Sequence, residues 1–155
     1  MATKWTGEKA LRRKLREMPN RVAAAVSRAL VQNAEEMKTK IKAVAPVGPN
    51  GGGDLRESVD WEFTTTMGDP TRGSIKGSEG LSVTVYAGND KVIYARWVEF
   101  GTMPHIVGGI YAGAEHPGTT AQPFFYPMYR LNKRRLKSRV SRAQSRAIKE
   151  VAGLG

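Results

Sequence analysis

Asp54 to Phe63 reads "DLRESVDWEF", and the spacing of its apolar residues changes part-way along. Asp54 and Glu57 match a capping box over one short helical turn. From Ser58 onward Val59, Trp61 and Phe63 alternate with polar residues, the period of a strand with one buried face. Upstream lies "NRVAAAVSRALVQNAEEMKTKIKAV", Asn20 to Val44. There Val22, Val26, Leu30, Met37, Ile41 and Val44 keep helical spacings with alanines between them. Asn20 is the expected N-cap, and Pro19 ends or kinks a preceding helical arm, "GEKALRRKLREMP". At ~1.5 Å per residue this helix reaches nearly 40 Å, about the width of a compact domain of this size. The prolines and glycines of "APVGPNGGGD" stop it.

Downstream, "MGDPTRGSIKGSEG" is rich in turn residues, with room for a short strand around Ile75. Leu81, Val83 and Val85 alternate again, which predicts an antiparallel meander of two or three strands. Tyr94, Trp97, Val98 and Gly101 then return to helical spacing. Asn89 or Asp90 is the expected cap, and Gly101 suits the left-handed residue past the end. A Gly-rich loop, Thr102 to Gln122, follows, in which "HIV" and "IYA" are candidates for a small hairpin. With four glycines and little apolar content, it is expected to be mobile in a free monomer and ordered in an assembly. The chain closes with a helix that admits Pro127 in its first turn. Its apolar stripe is Met128, Leu131, Leu136, Val140, Ala143, Ala147 and Val151. The reading is α+β: a long N-terminal helix, a small antiparallel sheet, a short helix, a long loop and a long basic C-terminal helix. Residues 1–19 are expected to form an arm, and 20–155 a single domain carrying the loop 102–122.

The 155 residues include no cysteine. That excludes disulfides, thiolate metal sites and cysteine nucleophiles, and it fits a reducing cytoplasm. No apolar run approaches the ~18 residues of a membrane span, and the N-terminus lacks a signal-peptide pattern. The expectation is a soluble, unprocessed protein. The net charge of +11 is segregated. Residues 1–46 carry eleven Lys/Arg against four Asp/Glu, residues 47–122 five against nine, and residues 123–155 nine against one. Basic ends and an acidic middle point to oriented contacts with an acidic partner or with DNA.

"YARWVEFGT", Tyr94 to Thr102, raises the question of a site. Glu99 stands near a helix C-terminus, where the dipole disfavours a carboxylate. It is either simply exposed or paired with a cation, Arg56 or an arginine of a neighbouring subunit. General acid–base chemistry needs a second titratable group in a cleft, and none is adjacent in sequence. Trp97 lies on the apolar stripe and is expected in the core. Phe100 and Phe125 border the loop, where aromatics favour a protein interface. His105, Glu115 and His116 match no metal-ligand spacing, and the Gly-rich stretches match no nucleotide-binding fingerprint. No cofactor or metal is expected. The last helix carries Arg130, Arg134, Arg135, Arg139, Arg142 and Arg146 on a basic face, with like charges at i, i+4 that repel one another. An acidic protein surface, such as the middle of a neighbouring copy, is the favoured partner. The alternative is DNA, bound through its phosphates with a steep dependence on salt.

At "VAPVGPNGGGDLRESV", "YARWVEFGT" and "HPGTTAQPFFYPMYRL" the chain resembles the neck or tail-completion proteins of long-tailed bacteriophages. The order of blocks matches over roughly residues 20–150. Glu99 to Thr102 with Pro123-Phe124-Phe125 is the specific part; Ala45-Pro46 and Leu55 to Ser58 carry less, since this chain inserts "GPNGG" and lacks the family's Thr-Gly there. The resemblance implies a non-enzymatic virion protein at the head–tail junction, made in the host cytoplasm and assembled as a ring of six copies. It implies a portal-side connector on one face, a tail terminator or tail tube protein on the other, and at most weak contact with genomic DNA. Glu99, Phe100, Gly101, Thr102, Pro123, Phe124 and Phe125 are the expected interface residues. The competing readings are a small basic nucleic-acid-binding protein and a tail-terminator ring protein.

Overall fold

The computed structural model describes residues 8–48, 52–64 and 82–153. The strand expected around Ile75, and Leu81, lie outside the described residues. The elements are α1 (Glu8–Val44), α2 (Asp54–Glu57), β1 (Asp60–Thr64), β2 (Ser82–Tyr86), α3 (Ala95–Phe100), β3 (His105–Ile106), a 3-10 turn (Gly109–Tyr111), β4 (Glu115–His116) and α4 (Phe125–Ala152). The fold is α+β, as the alternating periods predict.

Two local expectations for α1 change. The helix does not begin at Asn20 but runs from Glu8 on through Pro19. Proline lacks the N–H that would bond the carbonyl of Leu15, so one ladder bond is missing there while the chain on both sides stays helical. The contact line also shifts. Ala29, Asn33, Ala34, Met37, Ile41 and Ala45 are buried, whereas Val44 is exposed and Val22, Val26 and Leu30 are partly covered. Two of the alanines that look like spacers, Ala29 and Ala34, thus share the packing face with Met37 and Ile41, since a side chain of one methyl lets a neighbour approach closely.

The chain forms two compact units. One comprises residues 1–33 with 133–155, in which α1 up to Asn33 and α4 from Lys133 run in opposite directions. Among the described residues, Ala29, Ala147 and Val151 are its buried apolar ones. Asn33 ties the helices together: its amide nitrogen donates to the carbonyl of Leu136 at 3.1 Å, and its amide oxygen accepts from Arg139 Nη1 at 2.6 Å. Arg139 thus points at its own chain rather than joining an outward basic face.

The other unit, residues 34–132, holds the larger core. Met37 and Ile41 of α1 and Ala45 just past it are buried in it with Leu55, Val59, Val92, Ala95, Phe124 and Phe125. Asp54 is the first residue of α2, not its cap; Gly53 precedes the turn with no side-chain bond. β1 and β2 pair antiparallel, with Trp61 opposite Val85 and Phe63 opposite Val83. The expected alternation is present, but on β2 the covered face is the polar one. Ser82 and Thr84 are buried, while Val83 and Val85 are half-buried and Phe63 is exposed. The indole N–H of Trp61 donates to Glu35 at 2.7 Å in an exposed bond, which keeps that apolar face at the surface. Lys38 pairs with Asp60 at 2.8 Å on the same stretch of α1.

Candidate functional site

The residues of α3 divide by direction. Ala95 and Glu99 are buried, and Trp97 and Phe100 are exposed. Glu99 is 5% exposed, and its carboxylate accepts three backbone N–H bonds: Phe124 at 2.8 Å, Phe125 at 2.9 Å and Tyr126 at 3.0 Å. These are amides of the first turn of α4 and the residue before it. A helix start leaves four N–H groups without intrahelical partners. Glu99 takes three of them, and the fourth position is Pro127, which has none. The whole N-terminus of α4 is thereby satisfied. A negative charge at this end also meets the positive end of the helix dipole. The compensation that Glu99 needs near the end of α3 comes from backbone amides, not from an arginine.

Arg56, the expected partner of Glu99, does something else. Its Nε donates to the carbonyl of Ala45 at 2.8 Å, which satisfies an acceptor at the end of α1. Ser58 locks the next corner: its hydroxyl donates to the carbonyl of Leu55 at 2.8 Å and accepts from the amide of Gly88 at 3.1 Å. Leu55 is buried. Asn89 receives the amides of Lys91 and Val92 in a turn ahead of α3, so it closes that turn rather than capping the helix, which follows Tyr94.

Past α3, Gly101 adopts φ +71°, and a Cβ there would lie 2.6 Å from the carbonyl oxygen of Thr119. Only glycine fits both the backbone and the approach. Thr102 then pairs with Thr119 through both backbone bonds, at 3.0 and 3.1 Å, and through their hydroxyls at 3.0 Å. The amide of Gln122 donates to the carbonyl of Val98 at 2.8 Å. The loop 102–122 is closed at its base by these bonds. Inside it His105 pairs with His116 and Ile106 with Glu115. "HIV" therefore pairs with "EH", and "IYA" instead contributes to the 3-10 turn. The two imidazoles stack with centroids 5.0 Å apart, and each Nδ1 is engaged by backbone, His105 with the carbonyl of Met103 and His116 with the amide of Gly118.

Trp97 is 52% exposed, so it is not a core residue. It stands on a groove of about 950 Å³ lined also by Tyr94, Val98, Leu55, Val47 and Met103. Phe100 is 61% exposed and leans on Tyr126, with centroids 5.6 Å apart, beside a second hollow of about 550 Å³. Ile93 and Met103 extend the exposed apolar surface around α3. Phe124 and Phe125, expected at an interface, are packed inside. Sequence spacing missed this inversion. α3 is too short for its stripe to identify the covered side, and the buried residue is the one with the charge.

Glu99 thus fixes α3 to the start of α4, and Trp97 and Phe100 lie exposed on the same short helix. The chain belongs to the HK97-gp10-like family, described as "Bacteriophage HK97-gp10, putative tail-component", which matches residues 9–101, more than half of its length. The family is a structural, tail-related component of phage virions. No curated protein and no solved structure matches the chain significantly. No described helix is long and apolar enough to cross a membrane.

Proposed function

We propose that this protein joins the phage head to its tail, as a neck or tail-completion ring at the head–tail junction. Membership of a tail-component family supports a place in the virion. The observation that carries the finer reading is the exposed pair Trp97 and Phe100, held on a six-residue helix whose buried Glu99 is fixed to the next helix. Large apolar residues clustered at the surface mark protein contacts, and aromatics are favoured there. A rigid mount lowers the entropy lost when such a surface docks. In this proposal Phe100, Thr102 and Pro123 contribute to the interface. Glu99, Gly101, Phe124 and Phe125 support it from within.

Six copies in a ring, with a portal-side connector on one face and a tail terminator or tube on the other, follow from the resemblance to neck proteins. The test is a lysate made without this protein. Filled heads and finished tails should accumulate apart, and purified protein should join them. Tails of wrong length, or heads without DNA, would place the protein at another step.

A further inference from the structure

The two structural units divide the charge more sharply than the segments of the sequence do. The unit of residues 1–33 and 133–155 carries sixteen Lys/Arg against three Asp/Glu; the unit of residues 34–132 carries nine against eleven. Nearly all the excess positive charge therefore belongs to one pair of helices. On α4, Arg142, Arg146 and Lys149 are exposed at i, i+4 and i+7, a single face. Arg134 and Lys137 are exposed on a second face three residues apart.

An acidic face of a second copy is a poor complement. The other unit is close to neutral, and four of its eleven carboxylates are already engaged: Glu35 with Trp61, Glu36 with Lys40, Asp60 with Lys38 and Glu99 with the helix amides. Charge as dense as that of the helix pair needs a partner of comparable density. Duplex DNA presents one phosphate charge per ~1.7 Å of its axis. The described residues of this unit include no aromatic side chain, so they offer none of the stacking platform used for single strands. We infer that the helix pair is a duplex-DNA-binding surface that grips the phosphate backbone without reading sequence. This inference does not rest on the head–tail reading, and its failure would leave that reading standing.

The experiment titrates the full-length protein into a labelled 20-base-pair duplex between 50 and 200 mM salt. Binding should be independent of duplex sequence. Log Kobs should fall linearly with log salt, at about 0.9 per phosphate contacted. The triple variant R142Q/R146Q/K149Q should reduce that slope by between two and three, and R142K/R146K/K149R should restore it. The slope of the unaltered protein needs no variant to fold. Absence of binding at 50 mM salt would overturn the inference. So would a slope that R142Q/R146Q/K149Q leaves unchanged. Polyglutamate competing as well as unlabelled duplex at equal charge would overturn it in favour of an acidic protein surface.

Discussion

Glu99 reaches across twenty-five residues of chain to accept the amide of Phe124 at 2.8 Å. With the amides of Phe125 and Tyr126 on the same carboxylate, one side chain fixes the end of α3 to the start of α4. Hydrogen bonds to a charged group contribute more than neutral ones, and buried donors left alone are expensive. Glu99→Ala should therefore destabilise the fold by about 3–5 kcal/mol. Glu99→Gln, which keeps one accepting oxygen, should lose about 1–3 kcal/mol. Denaturant unfolding measures both. A loss under about 1 kcal/mol for Glu99→Ala would mean that the cap is not needed.

Gly101 follows two residues later, and the α-hydrogen that a Cβ would replace faces the backbone of Thr119 and Ala121. Gly101→Ala should lose about 2 kcal/mol or more through the positive φ and the clash. The Thr102–Thr119 pair should open with it. Hydrogen exchange at the amides of Thr102 and Thr119 reads this out. Unchanged protection in the variant would contradict the packing described for this corner.

Arg56 donates through Nε to the carbonyl of Ala45, the residue just past α1. Arg56→Met keeps the aliphatic stem and removes the donor, and should lose about 1 kcal/mol. Melting temperature checks it. Arg56→Met should not alter the environment of Glu99, since the two side chains have different partners; a shifted Glu99 carboxyl resonance would argue otherwise.

The Lys38–Asp60 pair sets a mild pH dependence. The hydrogen bond from Lys38, followed by the amide of Trp61, lowers the Asp60 carboxyl below its usual range. The hydrogen bond to Asp60 raises Lys38 above its own. The Asp60 contribution is present above about pH 4, the unfolded value, and is lost as pH falls through the folded one. The Lys38 contribution is present below about pH 10 and is lost as pH rises through its raised value. Both groups are well solvated, so the effect on stability is small. Carboxyl titration by NMR should give Asp60 a lower midpoint in the parent than in Lys38→Met; equal midpoints would remove the pair from the account.

Much of the fold is written in local patterns. The helical spacing from Val22 to Ile41, the period-2 runs around Trp61 and Val85, and Pro127 in the first turn of α4 all predict their elements. What spacing does not reveal is which side is covered. Ala29 and Ala34 look like filler until a close helix contact needs them, and Ser82 and Thr84 look like an outer face. The block from Glu99 to Thr102 shows the same limit. Its residue types suggest a site, yet Glu99 and Gly101 are explained by partners at 119–126, which no local pattern connects to them. Trp97 inverts for the same reason: a six-residue helix has two faces, and its buried one belongs to the carboxylate.

The central claim is that α3 displays Trp97 and Phe100 to other virion proteins while Glu99 holds it in place. Replacing both aromatics with serine in the virion protein tests it most directly, with electron microscopy of the resulting lysate as the measurement. Trp97→Ser with Phe100→Ser should lower stability by only about 1–2 kcal/mol, since both rings are half-exposed or more. The protein should stay folded and soluble while filled heads and complete tails remain separate. Joined, infectious particles at normal yield would contradict the claim.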